Sequence, residues 1–165
     1  MRRRDFITLL GGAATWPLGA RAQQGERMRR IGMLIPFSER DAEAQSQVTA
    51  FRERLLQLGW TDGRNVRFDY RWSTGDLGRI ATAAKELAAL QPDVIFARTT
   101  PVTDALLRET RTIPIVFVNV SDPVGAGFAA NMARPGGNAT GFTNVEASLG
   151  GKWVELLKEV NPGGC

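Results

Sequence analysis

The 165-residue sequence contains no histidine and only one cysteine, Cys165. The lack of histidine excludes a Ser-His-Asp triad, a Cys-His pair and any zinc site with a histidine ligand. A single cysteine excludes an internal disulfide and a CxxC redox site. The hydrophobic fraction of 43% and the charged fraction of 23% are those of an ordinary globular domain, so a fibrous or disordered protein is not indicated. The sequence predicts about one domain, with no cofactor and no metal.

The excess of positive charge is confined to the N-terminus. The net charge is +4, but residues 1–22 hold four arginines against one aspartate. Without them, 17 basic and 16 acidic side chains remain, and the net charge falls to +1. Because nucleic-acid-binding domains carry a clustered basic surface, this distribution does not indicate a nucleic-acid partner.

The first 22 residues have the three parts of an export signal. Arg2–Arg4 precede an apolar stretch, Phe6–Leu18, and the small-residue site Ala20–Ala22 follows. The apolar stretch has 13 residues, fewer than the ~20 that cross a bilayer, so a retained anchor or a buried helix are the weaker alternatives. Arg3–Ile7 also resembles a twin-arginine signal. We predict cleavage after Ala22, a periplasmic product without stable membrane insertion, and a mature arm over 23–29.

From Arg30 onward, β-branched runs alternate with amphipathic patterns, which predicts an α/β fold with a parallel sheet flanked by helices on both faces. The first, third and fourth runs are nearly continuous and apolar, as expected for strands covered on both faces. The second run alternates apolar and charged residues, which indicates an edge strand. The five predicted strands are Ile31–Ile35, Val66–Trp72, Val94–Ala97, Ile115–Asn119 and Ala139–Phe142.

Apolar residues spaced by three and four predict helices between these strands, and we interpret the stripes as core. Gly59 ends the first helix, Asp76 caps the second, and the third spans Pro101 to Thr110. These stripes are Ala44, Val48, Phe51, Leu55 and Leu58; and Leu77, Ile80, Ala81, Ala84, Leu87 and Ala88. A helix predicted near the end of the chain carries a further stripe, Trp153, Leu156, Leu157 and Val160. We expect this stripe to stay exposed, as an interaction or aggregation patch, because the surface it would cover is missing.

Ligands of open parallel sheets bind at the carboxyl ends of the strands. In the second and third loops there, Thr100 and Asp122 each precede a proline, which predicts helix starts whose N–H groups receive a carboxylate or phosphate. The alternative is that both residues only cap their own helices. No nucleophile lies beside a base, which favours binding over reaction. The candidate ligand-binding residues are Pro36, Phe37 and Ser38; Arg98, Thr99, Thr100 and Pro101; and Ser121, Asp122 and Pro123.

Motifs along nearly the whole chain carry a family resemblance. They are Arg30–Pro36, Leu58–Trp60, Pro92–Ile95, Thr100–Pro101, Ile113–Phe117, Asp122–Gly125, Arg134–Asn138 and Thr140–Thr143. Together with the export signal, they resemble the ABC-transporter substrate-binding family that includes tryptophan- and tyrosine-type binding proteins. The resemblance implies a type I periplasmic-binding fold with strand order 2-1-3-4-5. It also implies a receptor whose two lobes close on a small ligand and present it to an ABC permease in the inner membrane, without catalysis.

The chain departs from this family in two respects. Where relatives commonly show Asn-Gly-Thr-Pro, the sequence has Arg98-Thr99-Thr100-Pro101, which brings a bulky cation to the cleft. The family also runs to about twice this length, so we expect one lobe over 30–145, and a hinge with the first helix of a missing second lobe over 146–165. We interpret the chain as a truncated or frame-shifted product.

The candidate loops suggest roles for three residues. Ser38 and Thr100, with nearby N–H groups, would receive a carboxylate of an amino acid or organic acid, and Asp122 would pair with an ammonium group. Two other functions stay open: an exported enzyme of flavodoxin-like architecture, and a ligand-sensing module.

Overall fold

The computed structural model describes residues 27–143 and 148–160. The predicted export signal, 1–22, lies outside these residues. Strands and helices alternate along the described chain, as the sequence predicts. The elements are β1 (Arg29–Ile35), α1 (Ala42–Gln57), β2 (Val66–Trp72), α2 (Leu77–Ala89), β3 (Val94–Arg98), α3 (Thr100–Glu109), β4 (Ile115–Val120), β5 (Ala139–Thr143) and α4 (Ser148–Val160).

The five strands form one sheet in the order β2-β1-β3-β4-β5, and every neighbouring pair is parallel. The predicted sheet, its strand order and the edge position of β2 are therefore confirmed. Each predicted strand is present, with β1 beginning two residues earlier and β3, β4 and β5 each ending one residue later. The extension of β3 is the one that affects the candidate site, because it makes Arg98 the last strand residue rather than a loop residue.

The core lies on the face of the sheet covered by α2 and α3. Ile95 and Ala97 of β3 and Ile115 and Phe117 of β4 are completely buried there, since alternate residues of a strand point to the same face. Leu87 of α2 is also completely buried. This face therefore supplies most of the apolar burial that stabilises the fold.

The opposite face carries α1 and is covered less completely. Phe51 of α1 lies 5.2 Å from Phe96 of β3, measured between ring centres, and 6.5 Å from Phe68 of β2. Phe96 and Val118 on this face are only half-buried, and Phe142 of β5 is 73% exposed. Helices therefore lie on both faces of the sheet, as predicted, but within the described residues α1 packs over only part of this face.

Two of the predicted core stripes include exposed residues. Leu58 is 62% exposed because α1 ends at Gln57, one residue before it, and the chain then turns at Gly59 with φ of +89°. Leu77, the first residue of α2, is 70% exposed. Ala81 is exposed as well, since the buried face of α2 passes through Ala83 instead.

The helix predicted near the end of the chain is present as α4. Its apolar stripe is exposed: Trp153 by 56%, Leu157 by 69% and Val160 by 84%. Among residues 27–143 and 148–160, no helix combines the length and the apolar character needed to cross a membrane.

Asp93 directly precedes β3 and forms hydrogen bonds to the start of β1. Its carboxylate accepts hydrogen bonds from the Arg30 backbone N–H at 2.9 Å and from the Arg29 guanidinium at 2.8 Å. Both bonds favour the charged form, the first more strongly, and they lower the pKa of the Asp93 carboxyl. Asp93 therefore ties the start of two neighbouring strands together.

Replacement of this carboxylate tests its contribution to stability. We expect Asp93→Asn to lower the free energy of unfolding at pH 7 by about 0.5–1 kcal/mol, a modest loss because the group is partly exposed. A lowered carboxyl pKa stabilises the fold above the unfolded-state value of ~3.9, and the effect disappears as the pH falls through the folded-state value. The difference in urea midpoint between wild type and variant should therefore shrink from about pH 6 to about pH 3. A difference independent of pH would contradict this assignment.

Candidate ligand-binding rim

The three predicted loops follow β1, β3 and β4, which are neighbours in a parallel sheet. Their carboxyl ends therefore meet at one edge, which we call the rim. The guanidinium carbon of Arg98 lies 4.6 Å from the ring centre of Phe37, so the first loop contacts the end of β3, where the second loop begins. The Thr99 N–H donates to the carbonyl of Val118 at 3.0 Å and joins the second loop to β4.

A fourth loop at the rim, after β2, was not predicted as part of the site. The backbone N–H of Ser73 donates to the carbonyl of Ile35 at 3.0 Å, and that of Thr74 to the carbonyl of Phe37 at 3.4 Å. Ser73 is completely buried. The sequence signal was available, because this polar segment directly follows a predicted strand and precedes the Asp76 cap.

The exposure of the residues rises along the first loop. Pro36 is buried, Phe37 is half-buried and Ser38 is exposed. The Ser38 hydroxyl accepts a hydrogen bond from the Arg40 N–H at 3.2 Å. An exposed hydroxyl at the rim is accessible to a ligand, as its predicted role requires.

The second loop is strained at Thr99. This residue has φ of +80° and ψ of 158°, a region that glycine occupies and β-branched residues avoid. Its hydroxyl is buried without a hydrogen-bond partner in the described structure. The prediction that Thr100 caps α3 is wrong, because Thr99 is the cap residue and forms no side-chain cap, while Thr100 and Pro101 begin the helix.

The third loop is a turn. The Asp122 carboxylate accepts a hydrogen bond from the Gly125 N–H at 2.8 Å. The prediction that Asp122 and Pro123 start a helix is wrong, since residues 123–127 form successive turns and Gly127 has φ of +74°. Ser121 and Asp122 are exposed.

A cavity of about 260 Å³ lies between α1 and the carboxyl ends of β1, β3 and β4. Arg98 lines it, together with Gln47 and Asn119, which sequence reasoning missed. Asn119 has φ of +56°, and asparagine tolerates this conformation better than most residues. An asparagine directly after an apolar strand was therefore a usable signal, whereas Gln47 gave none, because exposed helix positions are commonly polar.

The sequence profile of the family of ABC transporter substrate binding proteins matches residues 33–164. The chain belongs to this family. This match covers the sheet from the middle of β1 onward, the rim loops and α4, and it confirms the resemblance found in the sequence motifs.

A curated relative in this family is the tyrosine-binding protein of Clostridioides difficile (strain R20291). It is 33% identical over 112 residues, which span 68% of this chain and 32% of the relative. The chain therefore spans about a third of the length of that relative.

Solved structures of similar proteins share the fold. A ligand-free, open substrate binding protein with adhesive properties from Clostridium difficile has a TM-score of 0.67 at 30% identity over 82% of this chain and 45% of its own. A conserved domain protein from Vibrio cholerae has a TM-score of 0.69 at 31% identity, covering 83% and 45%. A protein from Streptococcus pneumonia in complex with L-Trp has a TM-score of 0.68 at 28% identity, covering 82% and 44%. These similarities confirm the predicted fold class. This chain matches less than half the length of each neighbour.

Proposed function

We propose that this chain is part of the substrate-binding component of an ABC-type importer and captures a small solute, an amino acid or organic acid, for a permease in the inner membrane. The observation that carries the proposal is the convergence of the three loops at one rim, beside a cavity, in a member of the substrate-binding family. The family relatives are substrate-binding proteins, which supports binding without catalysis. The relatives named for tyrosine and crystallised with L-Trp support an amino acid or a compound of similar size.

The domain organisation belongs to the same proposal. Residues 30–145 form the N-terminal lobe, and residues 146–165 form the hinge and the first helix of a second lobe. Two observations support this division: the solved neighbours are about twice as long as the matched region, and the apolar stripe of α4 is exposed. A second lobe that packed against this stripe would bury it and complete the wall facing the rim.

We also propose that residues 1–22 direct export, by a twin-arginine-like signal, and that the mature protein is periplasmic with Gln23 as its first residue. The sequence of the signal supports this assignment. Amino-terminal sequencing of the protein recovered from the periplasm tests it, and an intact signal on that protein would refute cleavage after Ala22.

In the proposed complex, side chains at the rim contact the solute. Ser38 and Thr100, with neighbouring N–H groups, receive a carboxylate, and Asp122 pairs with an ammonium group. Calorimetric titration with a panel of amino acids and organic acids tests the function. We expect saturable binding of one solute, weaker than for a two-lobed receptor because a closed pocket buries ~70–90% of its ligand. Catalytic turnover of a bound compound, or no binding of any compound, would refute the function.

Asp122→Asn separates the charge of this residue from its structural contact. Asparagine retains an oxygen that accepts the Gly125 N–H, so the turn is preserved. We expect the affinity for a bound amino acid to fall about two- to five-fold, because an exposed ion pair contributes at most ~1 kcal/mol. Calorimetry measures the change, with the matched organic acid that lacks the amino group as control. Unchanged affinity for the amino acid would remove Asp122 from the site.

A further inference from the structure

The cavity beneath the rim is lined mainly by apolar side chains, and Arg98 is the single charged residue among the described residues that line it. None of those lining residues is an aspartate or a glutamate. A ligand group with a positive charge would therefore find no counter-ion inside the cavity, whereas a negative group would find one at Arg98. The apolar side chains that the argument uses are Ile35, Val48, Phe51, Phe96 and Val118.

Arg98 is held in position without its hydrogen-bonding capacity being used. Its guanidinium lies against the face of Phe37, 4.6 Å from carbon to ring centre, which is a cation–π geometry. Within residues 27–143 and 148–160, the Arg98 side chain forms neither an ion pair nor a hydrogen bond with another side chain. The guanidinium N–H donors of this half-buried residue are therefore available to a ligand, and an anion would pair with them.

We propose that Arg98 binds the carboxylate of a small apolar acid whose hydrocarbon part fills this cavity. The inference rests on the proposed function and narrows its solute to a chemical class. A guanidinium presents two parallel N–H donors to a carboxylate, and the pair strengthens where the surroundings are apolar. In this narrower form of the proposal, Arg98 receives the carboxylate in place of Ser38 and Thr100, which do not line the cavity. The ring or branched chain of the acid then lies against Phe51, Phe96 and Val118.

The size of the cavity is compatible with a small ligand. Its volume of about 260 Å³ lies just below the ~300 Å³ at which small-molecule pockets begin. One ring or one branched chain with its carboxylate fits this volume.

A pair of probes that differ only in charge tests the proposal. The full 165-residue chain, labelled with ¹⁵N, is titrated with 3-phenylpropanoate and with its uncharged amide, 3-phenylpropanamide, and the side-chain amide signals of Gln47 and Asn119 are followed. We expect the acid to bind at least about ten-fold more tightly than the amide, as for a charge-assisted pair. In Arg98→Met, which keeps an apolar side chain of similar length, this preference should disappear while the amide affinity stays unchanged.

Two further variants serve as controls for the role of Arg98. Arg98→Lys keeps the charge but loses the planar pair of donors, so an intermediate preference is expected. Arg64→Met removes an exposed arginine outside the cavity and should leave the preference intact. Equal affinity for acid and amide in the wild type, an unchanged preference in Arg98→Met, or no response of Gln47 and Asn119 to millimolar acid would each overturn the proposal. If another solute still binds in the calorimetric panel, the receptor function survives and only the ligand class fails.

Discussion

Gly141→Ala should destabilise the protein by about 3–4 kcal/mol, a large share of a typical total of ~5–15 kcal/mol. Gly141 in β5 lies opposite Phe117 in β4. A Cβ atom at this position would overlap the Phe117 carbonyl oxygen and approach the Phe117 ring carbon Cδ2 to 2.6 Å. Phe117 is completely buried in the core, so neither its backbone nor its ring has room to move away. Urea and thermal unfolding measure the loss, which corresponds to a melting temperature lower by ~10 °C.

Gly137→Ala provides the matched control. It introduces the same methyl group just before β5, where no atom lies within 4 Å of the new Cβ and the backbone is not in the left-handed region. We expect a change within about 0.5 kcal/mol for this exposed site. Similar effects of both variants would show that the close approach of β5 to β4 is not required for stability.

The sheet was predictable because each strand carries a short apolar or alternating run bounded by turn residues. Val66–Trp72 has the predicted bounds, and the other strands differ by at most two residues at one end. The coverage of the sheet was not predictable, because Phe96 and Val118 alternate with fully buried residues in runs that look uniformly apolar. An apolar run reports that a strand is mostly buried, but how far each face is covered depends on how many helices pack there.

The rim was predictable from the predicted sheet, since loops after adjacent parallel strands share one edge. Whether a helix begins directly after β3 and after β4 was not predictable. Thr100-Pro101 and Asp122-Pro123 have the same capping pattern, yet only the first begins a helix, because glycines at 125 and 127 follow the second. Gln47 lines the cavity because α1 packs against the sheet. No local sequence pattern predicts a contact of this kind.

Thr99→Gly should stabilise the protein by about 1–2 kcal/mol and raise the melting temperature by ~3–6 °C. Backbone conformations like that of Thr99, with φ of +80° and ψ of 158°, cost ~1–3 kcal/mol for residues other than glycine. The variant also removes a buried hydroxyl that has no hydrogen-bond partner in the described structure. The greater freedom of glycine in the unfolded chain offsets about 0.5–1 kcal/mol of the gain.

Thr99→Ala distinguishes the two contributions, because alanine removes the hydroxyl but keeps the Cβ atom that makes this conformation unfavourable. We expect only a small gain in the free energy of unfolding for alanine and most of the gain for glycine, measured by urea unfolding of both variants.

The titration with 3-phenylpropanoate also tests whether the strain at Thr99 matters for binding. Because the rigid Thr99 fixes the backbone that carries Arg98, the glycine variant should bind the acid more weakly while being more stable. A glycine variant less stable than wild type would show that Thr99 is not strained.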